Sequence, residues 1–221
     1  MIKQMFSVSL PPISGPEFPD PPRKNDALFL YGALRAYPFV CTYVQKTVEV
    51  VYGPTCKPDK EIFLPQCASD YVDVYKRRSG GGSVVLSPGM VIIIIVNKRG
   101  PCGPAEIFST IHDGVIAVLE SSGISGVQKT GLSDLAINNR KILGSSLYLK
   151  QSPGLYFYQS ALMVDSDLSL LGKYLAHPPR EPLYRGKRGH ADFCTTLNKE
   201  GYGVCAEEIA EKIGRELAGR L

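Results

Sequence analysis

The chain of 221 residues has no tryptophan, only three histidines and no C-x-x-C pair among its six cysteines. Those gaps exclude the usual zinc-ribbon and zinc-finger spacings, and no metal site is expected from the protein's own ligands. Six cysteines are also too few for a disulfide framework in a chain of this length, and no secretory leader is visible at residues 1–10. A cytoplasmic protein is the expectation. The longest apolar run, residues 90–96, falls far below the roughly 18–20 residues that span a bilayer, so no membrane partner is expected. The net charge of +4 lacks the dense basic footprint of a nucleic-acid binder and suits an anionic small ligand or an acidic partner protein. There is no G-x-x-x-x-G-K-[ST] loop, no G-x-G-x-x-G fingerprint and no Ser-His-Asp ordering around His112, His177 and His190.

What remains reads as one domain behind an arm. Residues 1–24 end in a proline-rich stretch (P-P-I-S-G-P-E-F-P-D-P-P at 11–22), expected to lie extended, and residues 25–221 show no clean linker. A short helix is predicted from Asn25 or Asp26 to Leu34, one or two strands over 38–52, and a loop or short helix over 57–67. Strand-like runs follow at 71–75 and 83–86. Residues 90–96 lack polar alternation, which predicts a strand buried on both faces. Pro104 opens a helix whose apolar face carries Ile107, Ile111, Val115, Val118 and Leu119. Asn138-Asn139 marks a hairpin between 135–137 and 142–143, and strands continue at 146–149 and 155–164. A helix capped by Asp165 or Ser166 and a last amphipathic helix over 206–217 complete an α/β or α+β domain with a mixed sheet.

Two stretches carry chemistry. Residues 76–82 read K-R-R-S-G-G-G immediately before an apolar strand. Consecutive glycines remove every Cβ, so backbone N–H groups can face an anion, and arginine adds a forked, permanently charged donor. The same residues also suit a tight bend beside a solvated basic cluster. The second stretch runs from Asp134 to Ser146, D-L-A-I-N-N-R-K-I-L-G-S-S, where apolar neighbours flank Lys141. That lysine is either a compact cation aimed along the sheet into a cleft or an exposed turn residue.

Taken together and in this order, Arg77-Arg78-Ser79-Gly80-Gly81-Gly82-Ser83-Val84 and Asp134-Leu135 through Lys141-Ile142-Leu143-Gly144-Ser145-Ser146 resemble the biotin/lipoate protein ligase superfamily, specifically its lipoate–protein ligase branch. Residues 161–168 (A-L-M-V-D-S-D-L) and 182–197 (P-L-Y-R-G-K-R-G-H-A-D-F-C-T-T-L) add to the likeness, which covers most of the chain from Asp26 to Leu197. The resemblance implies a mixed, largely antiparallel sheet flanked by helices. It implies activation of lipoate or octanoate with ATP, accompanied by Mg2+, to an acyl-adenylate. Transfer would follow to a lysine of a lipoyl-domain protein, of the 2-oxoacid dehydrogenase E2 or glycine cleavage H protein type. Arg77, Ser79 and Gly80, Gly81 and Gly82 would line the acyl-adenylate, leaving Arg78 to solvent. Ser83, Val84 and Val85 would face the nucleotide, and Lys141 would hold the α-phosphate and the activated carbonyl. Asp134 would orient the turn, and Gly144 and Ser145 would let the backbone pass close to the ligand.

The chain departs from the family pattern at two places. Leu86 stands where many relatives carry histidine, and Tyr158-Gln159-Ser160 stands where many carry His-Gly. The chain is also expected to lack the C-terminal accessory domain of longer ligases, which would call for a separate accessory protein. Two other readings stay open: an octanoyl or lipoyl transferase, and a non-catalytic binder or subunit. The transferase needs a cysteine acyl carrier. Neither family position for that thiol holds one here, and Cys194 reads either as a buried thiol or as a nucleophile.

Overall fold

The computed structural model describes Phe29, Gly32, Ala33 and residues 36–152 and 154–221. The proline-rich arm lies outside the described residues, and so does most of the helix expected over 25–34.

Among the described residues nine strands form two sheets. The large one follows the order β1 (Phe39–Val44), β5 (Met90–Lys98), β9 (Leu155–Met163), β8 (Arg140–Lys150), β7 (Asp134–Ile137) and β6 (Gln128–Thr130), with every pairing antiparallel. The small one places β2 (Glu49–Tyr52) between β3 (Asp73–Lys76) and β4 (Val84–Leu86). Its β2–β3 pair is parallel, so the expected mixed, largely antiparallel character is found, with the parallel pairing confined to the small sheet.

The apolar run on β5 shows why alternation is absent there. Val91, Ile93 and Ile95 pack into one core with the long helix α3 (Pro104–Ser121) and the last helix α6 (Ala206–Arg220). Met90, Ile92, Ile94 and Val96 pack into a second core with the small sheet. Both faces of the strand exclude water, so both must be apolar. The second core also takes Ile62, just past the short helix α1 (Pro58–Glu61), Cys67 of α2 (Leu64–Ser69), and Leu171 and Tyr174 of α4 (Ser169–Tyr174). Among the described residues no helix is long and apolar enough to cross a membrane.

Several boundaries differ from the sequence reading. The expected helix capped by Asp165 or Ser166 begins only at Ser169. The N–H groups of Val164 and Asp165 both donate to the Gly89 carbonyl, which bends the chain there rather than starting a helix, and the Asp167 carboxylate then accepts from the Ser169 N–H at 2.9 Å. The separate strands expected at 142–143 and 146–149 are one continuous β8. The segment over 57–67 is two helical turns, with Pro65 inside the first turn of α2, where proline costs no hydrogen bond. The hairpin at Asn138-Asn139 is present, both residues at positive φ (49° and 56°), as a tight two-residue turn requires.

Candidate functional site

A cavity of about 320 Å3 opens between the two sheets. Its lining combines apolar side chains, Leu86, Met90, Ile92, Met163, Leu171 and Leu175, with Lys141, Asp134, Gly81, Gly82 and Ser145.

The lysine is placed by a β-bulge. Leu135 pairs with Leu143 but Ala136 pairs with Lys141, which leaves Ile142 as an extra residue in β8. Residues three apart on a regular strand point to opposite faces; the inserted residue cancels that and brings Lys141 and Gly144 to the same side. Accordingly Ile142 and Leu143, sequence neighbours, both enter the same core. A Cβ on Gly144 would stand 2.7 Å from both Cε and Nζ of Lys141, so the side chain lies directly across the glycine. Its ammonium pairs with Asp134 Oδ1 at 2.8 Å. The other carboxylate oxygen of Asp134 accepts from the Tyr184 hydroxyl at 2.8 Å. The backbone of Lys141 is held too, its carbonyl accepting from Thr195 N–H at 2.9 Å.

The glycine loop lines the same cavity as this lysine and is organised by Arg77. That residue is 6% exposed. Its guanidinium donates to the carbonyls of Gly80 (2.8 Å), Gly82 (2.7 Å) and Val51 (3.3 Å). Arg77 borders the cavity, yet these donors are turned to the loop itself. Because a trans peptide sets C=O and the following N–H on opposite sides, the amides of Gly81 and Ser83 point away from Arg77, and that of Ser83 serves the Glu61 carboxylate. Gly81 sits at φ +97°, and a Cβ on the neighbouring Gly53 would come within 2.1 Å of its carbonyl oxygen. Ser79 is fully buried; its hydroxyl bonds Ser146 Oγ at 2.8 Å and accepts from the Gln159 amide, pinning the loop to β8 and β9. Neither Ser79 nor Gly80 lines the cavity, whereas Gly81, Gly82, Ser83, Val84 and Val85 do. Arg78, expected in solvent, is half-buried.

Sequence reading missed three parts of the wall. Glu61, buried on α1, accepts from Ser83 Oγ at 3.0 Å and from Lys57 N–H at 2.9 Å. Burial pushes its carboxyl up, but these hydrogen bonds and one from Cys56 outweigh it and hold the group below its ordinary value. Gln159, noted only as a departure from a family pattern, lies on the cavity side of β9. The segment from Ala176 to Cys194 supplies a whole side, including Arg180, Arg185, His190 and Phe193. No residue pattern in that irregular stretch signals a fold-back. His190 is half-buried and bonded to the Ala176 carbonyl at 3.1 Å, and burial lowers its pKa. Cys194 also lines the cavity, but burial pushes its thiol up, away from the thiolate a nucleophile needs.

Behind the hairpin, on α3, His112 is 1% exposed and 3.3 Å from Ser145 Oγ, which donates to the Ser133 carbonyl. Burial lowers its pKa to about 4, so the ring is neutral at neutral pH. Among the described residues no three His, Cys, Asp or Glu side chains are grouped to hold a metal ion. Glu61 and Asp134, the carboxylates at the cavity, are engaged as described and do not form a ready cation cage.

A cation fixed by a bulge, in a cavity that a glycine loop and apolar side chains also line, can neutralise charge on an anion attached to an aliphatic chain. The chain is 29% identical over 136 residues to a probable lipoate-protein ligase A of Mycoplasma genitalium, an alignment covering 62% of this chain and 40% of that protein. It thus spans less than half the length of that curated relative. Among solved structures, the bi-partite lipoate protein ligase of Thermoplasma acidophilum, studied with its E2 lipoyl domain, matches with a TM-score of 0.74 at 19% identity over 89% of this chain and 76% of that one. A lipoate-protein ligase A bound with ATP matches with a TM-score of 0.72 at 18% identity over 89% and 77%. A putative lipoate protein ligase of T. acidophilum with bound lipoic acid gives 0.68 at 16% identity over 84% and 73%. These likenesses establish the fold, and the sequence match is to the family: the model of the lipoyl protein ligase A/B catalytic domain matches residues 29–218, and the chain belongs to that family.

Proposed function

We propose that this chain catalyses ATP-dependent attachment of lipoate, or octanoate, to a lysine of a lipoyl-domain protein through an acyl-adenylate. The observation that carries the reading is the placement of Lys141, held across Gly144 by Asp134 in a cavity that apolar side chains also line. The apolar lining takes the acyl chain. The carboxylate then lies beside Lys141, and the α-phosphate of ATP between the lysine and the amide of Gly81. A carboxylate oxygen attacks the α-phosphorus and pyrophosphate leaves. The acceptor lysine's amine then attacks the acyl carbonyl and AMP leaves. In both steps negative charge grows on oxygens beside a fixed cation and an oriented amide, which need no reorganisation as the reaction proceeds. Mg2+ would arrive on the phosphates, with few protein ligands, as that ion commonly does. The neighbours bound to ATP and to lipoic acid support these two substrates, and the neighbour studied with its E2 lipoyl domain supports the acceptor class.

Incubation with lipoate, ATP and an E2 lipoyl domain tests the reading by the acceptor's mass. Acylation that requires ATP is expected. Acylation only from an acyl carrier protein would replace the ligase with a transferase. No modification, with or without an added accessory protein, would leave a non-catalytic binder.

A further inference from the structure

We infer that Tyr184 is a positioning residue for Lys141, acting through Asp134. The inference rests on the proposed role of Lys141 and concerns how that lysine is aimed.

Tyr184 lies in the 3-10 turn Leu183–Arg185, remote in sequence from the lysine hairpin. Its hydroxyl nonetheless reaches Asp134 Oδ2 at 2.8 Å, while Oδ1 of the same carboxylate holds Lys141 Nζ at 2.8 Å. Asp134 is 7% exposed, so protein partners rather than bulk water decide where its charge sits. A carboxylate bonded through one oxygen can turn about its Cβ–Cγ axis; one bonded through both is fixed in plane. Tyr184 supplies the second bond. Its ring is fixed in turn, packed at 5.0 Å from the Phe193 ring, over which the guanidinium carbons of Arg185 and Arg188 sit at 4.7 and 5.4 Å. The same segment grips the lysine's backbone, through the Lys141–Cys194 bridge and the Thr195 amide. Burial beside Asp134 also drives the phenol's pKa far upward, so it stays a donor at any working pH.

The arrangement has a further consequence for the reaction. When an anion takes the lysine's ammonium, Asp134 loses a cationic partner. The Tyr184 hydroxyl stays bonded to it and stabilises the carboxylate left behind. Without that donor, Asp134 competes harder with the ligand for Lys141 and holds it in less defined orientations.

Tyr184→Phe keeps the ring on Phe193 and removes only the hydroxyl. Two readouts test it, each as a cycle with Asp134→Asn. The first is the rate at which an amine-reactive ester labels Lys141, followed by peptide mass spectrometry; it needs no activity and stands even where the ligase reading fails. Labelling should fall at least threefold in Tyr184→Phe relative to wild type, and Tyr184→Phe should change nothing on the Asp134→Asn background. The second is acylation kinetics. A roughly tenfold lower kcat with little change in KM for lipoate is expected, again absent on the Asp134→Asn background. Wild-type labelling of Lys141 in Tyr184→Phe, or the same fold-change with and without Asp134, would overturn the inference. Loss of acylation in the wild type would instead overturn the proposed function.

Discussion

Gly144→Ala separates the position of Lys141 from its presence. Gly144 lies within β8 and is absent from the positive-φ glycines, so alanine is compatible with its backbone. Replacing a strand glycine would ordinarily gain about 0.5–1 kcal/mol of stability. Here the added methyl would stand 2.7 Å from Lys141 Cε and Nζ, and 3.8 Å from Asp134 Oδ1. Non-bonded carbon atoms settle at about 3.5–4.0 Å, so the end of the lysine must withdraw by about 1 Å. It is flexible and 23% exposed, and it can do so at little cost to the fold. Catalysis has no such latitude: a misplacement of about 1 Å costs on the order of 100-fold, or about 2.7 kcal/mol of barrier. The expected result is a melting temperature within a few degrees of wild type and ATP-dependent acylation reduced about 100-fold. Acylation within threefold of wild type in a normally folded variant would refute the argument that the ammonium must occupy this position.

Other consequences follow from the same geometry. Lys141→Met should lower kcat by about 100- to 1000-fold in the acylation assay, the usual effect of deleting one transition-state donor. Its circular dichroism should match wild type. Gly53→Ala would drive a Cβ to 2.1 Å from the Gly81 carbonyl, backbone against backbone. It should cost about 2–4 kcal/mol in denaturant unfolding, with the loop displaced. Arg77→Met removes a buried guanidinium from three carbonyls. Faster amide exchange at residues 80–83 and a stability loss of about 2–3 kcal/mol are expected. His112 makes the fold acid-sensitive. Its folded pKa of about 4 lies below its ordinary 6.5, so the unfolded chain takes up a proton first as pH falls. Stability contributed by the neutral ring is complete above pH 6.5 and is lost between there and about 4, by about 3 kcal/mol. His112→Gln should flatten that part of the melting-temperature profile between pH 7 and pH 4.

Much of the frame was legible because local signals agree with the tertiary answer. The run on β5, Pro104 at the helix start and the paired asparagines each state one structural fact, and the fold uses each. The two chemistry-bearing stretches were legible as a pair, since each holds an unusual residue type at a fixed place. What they do in space was less so. Arg77 looked like a ligand contact, but its donors serve carbonyls three and five residues along its own loop, a geometry that composition does not encode. The bulge at Ile142 was hidden because an extra apolar residue in an apolar stretch leaves no mark on the pattern. The wall formed by residues 176–194 was invisible for a different reason. It is held by long-range contacts such as Tyr184 to Asp134, fifty residues apart, and irregular chain has no period to read.

The central claim is that acyl-adenylate forms beside Lys141. Its most direct test is exchange of labelled pyrophosphate into ATP, measured with and without lipoate. The account predicts exchange that depends on lipoate and is lost in Lys141→Met. Lipoate-dependent exchange undiminished in that variant, or no exchange from a chain that still acylates a lipoyl domain, would contradict it.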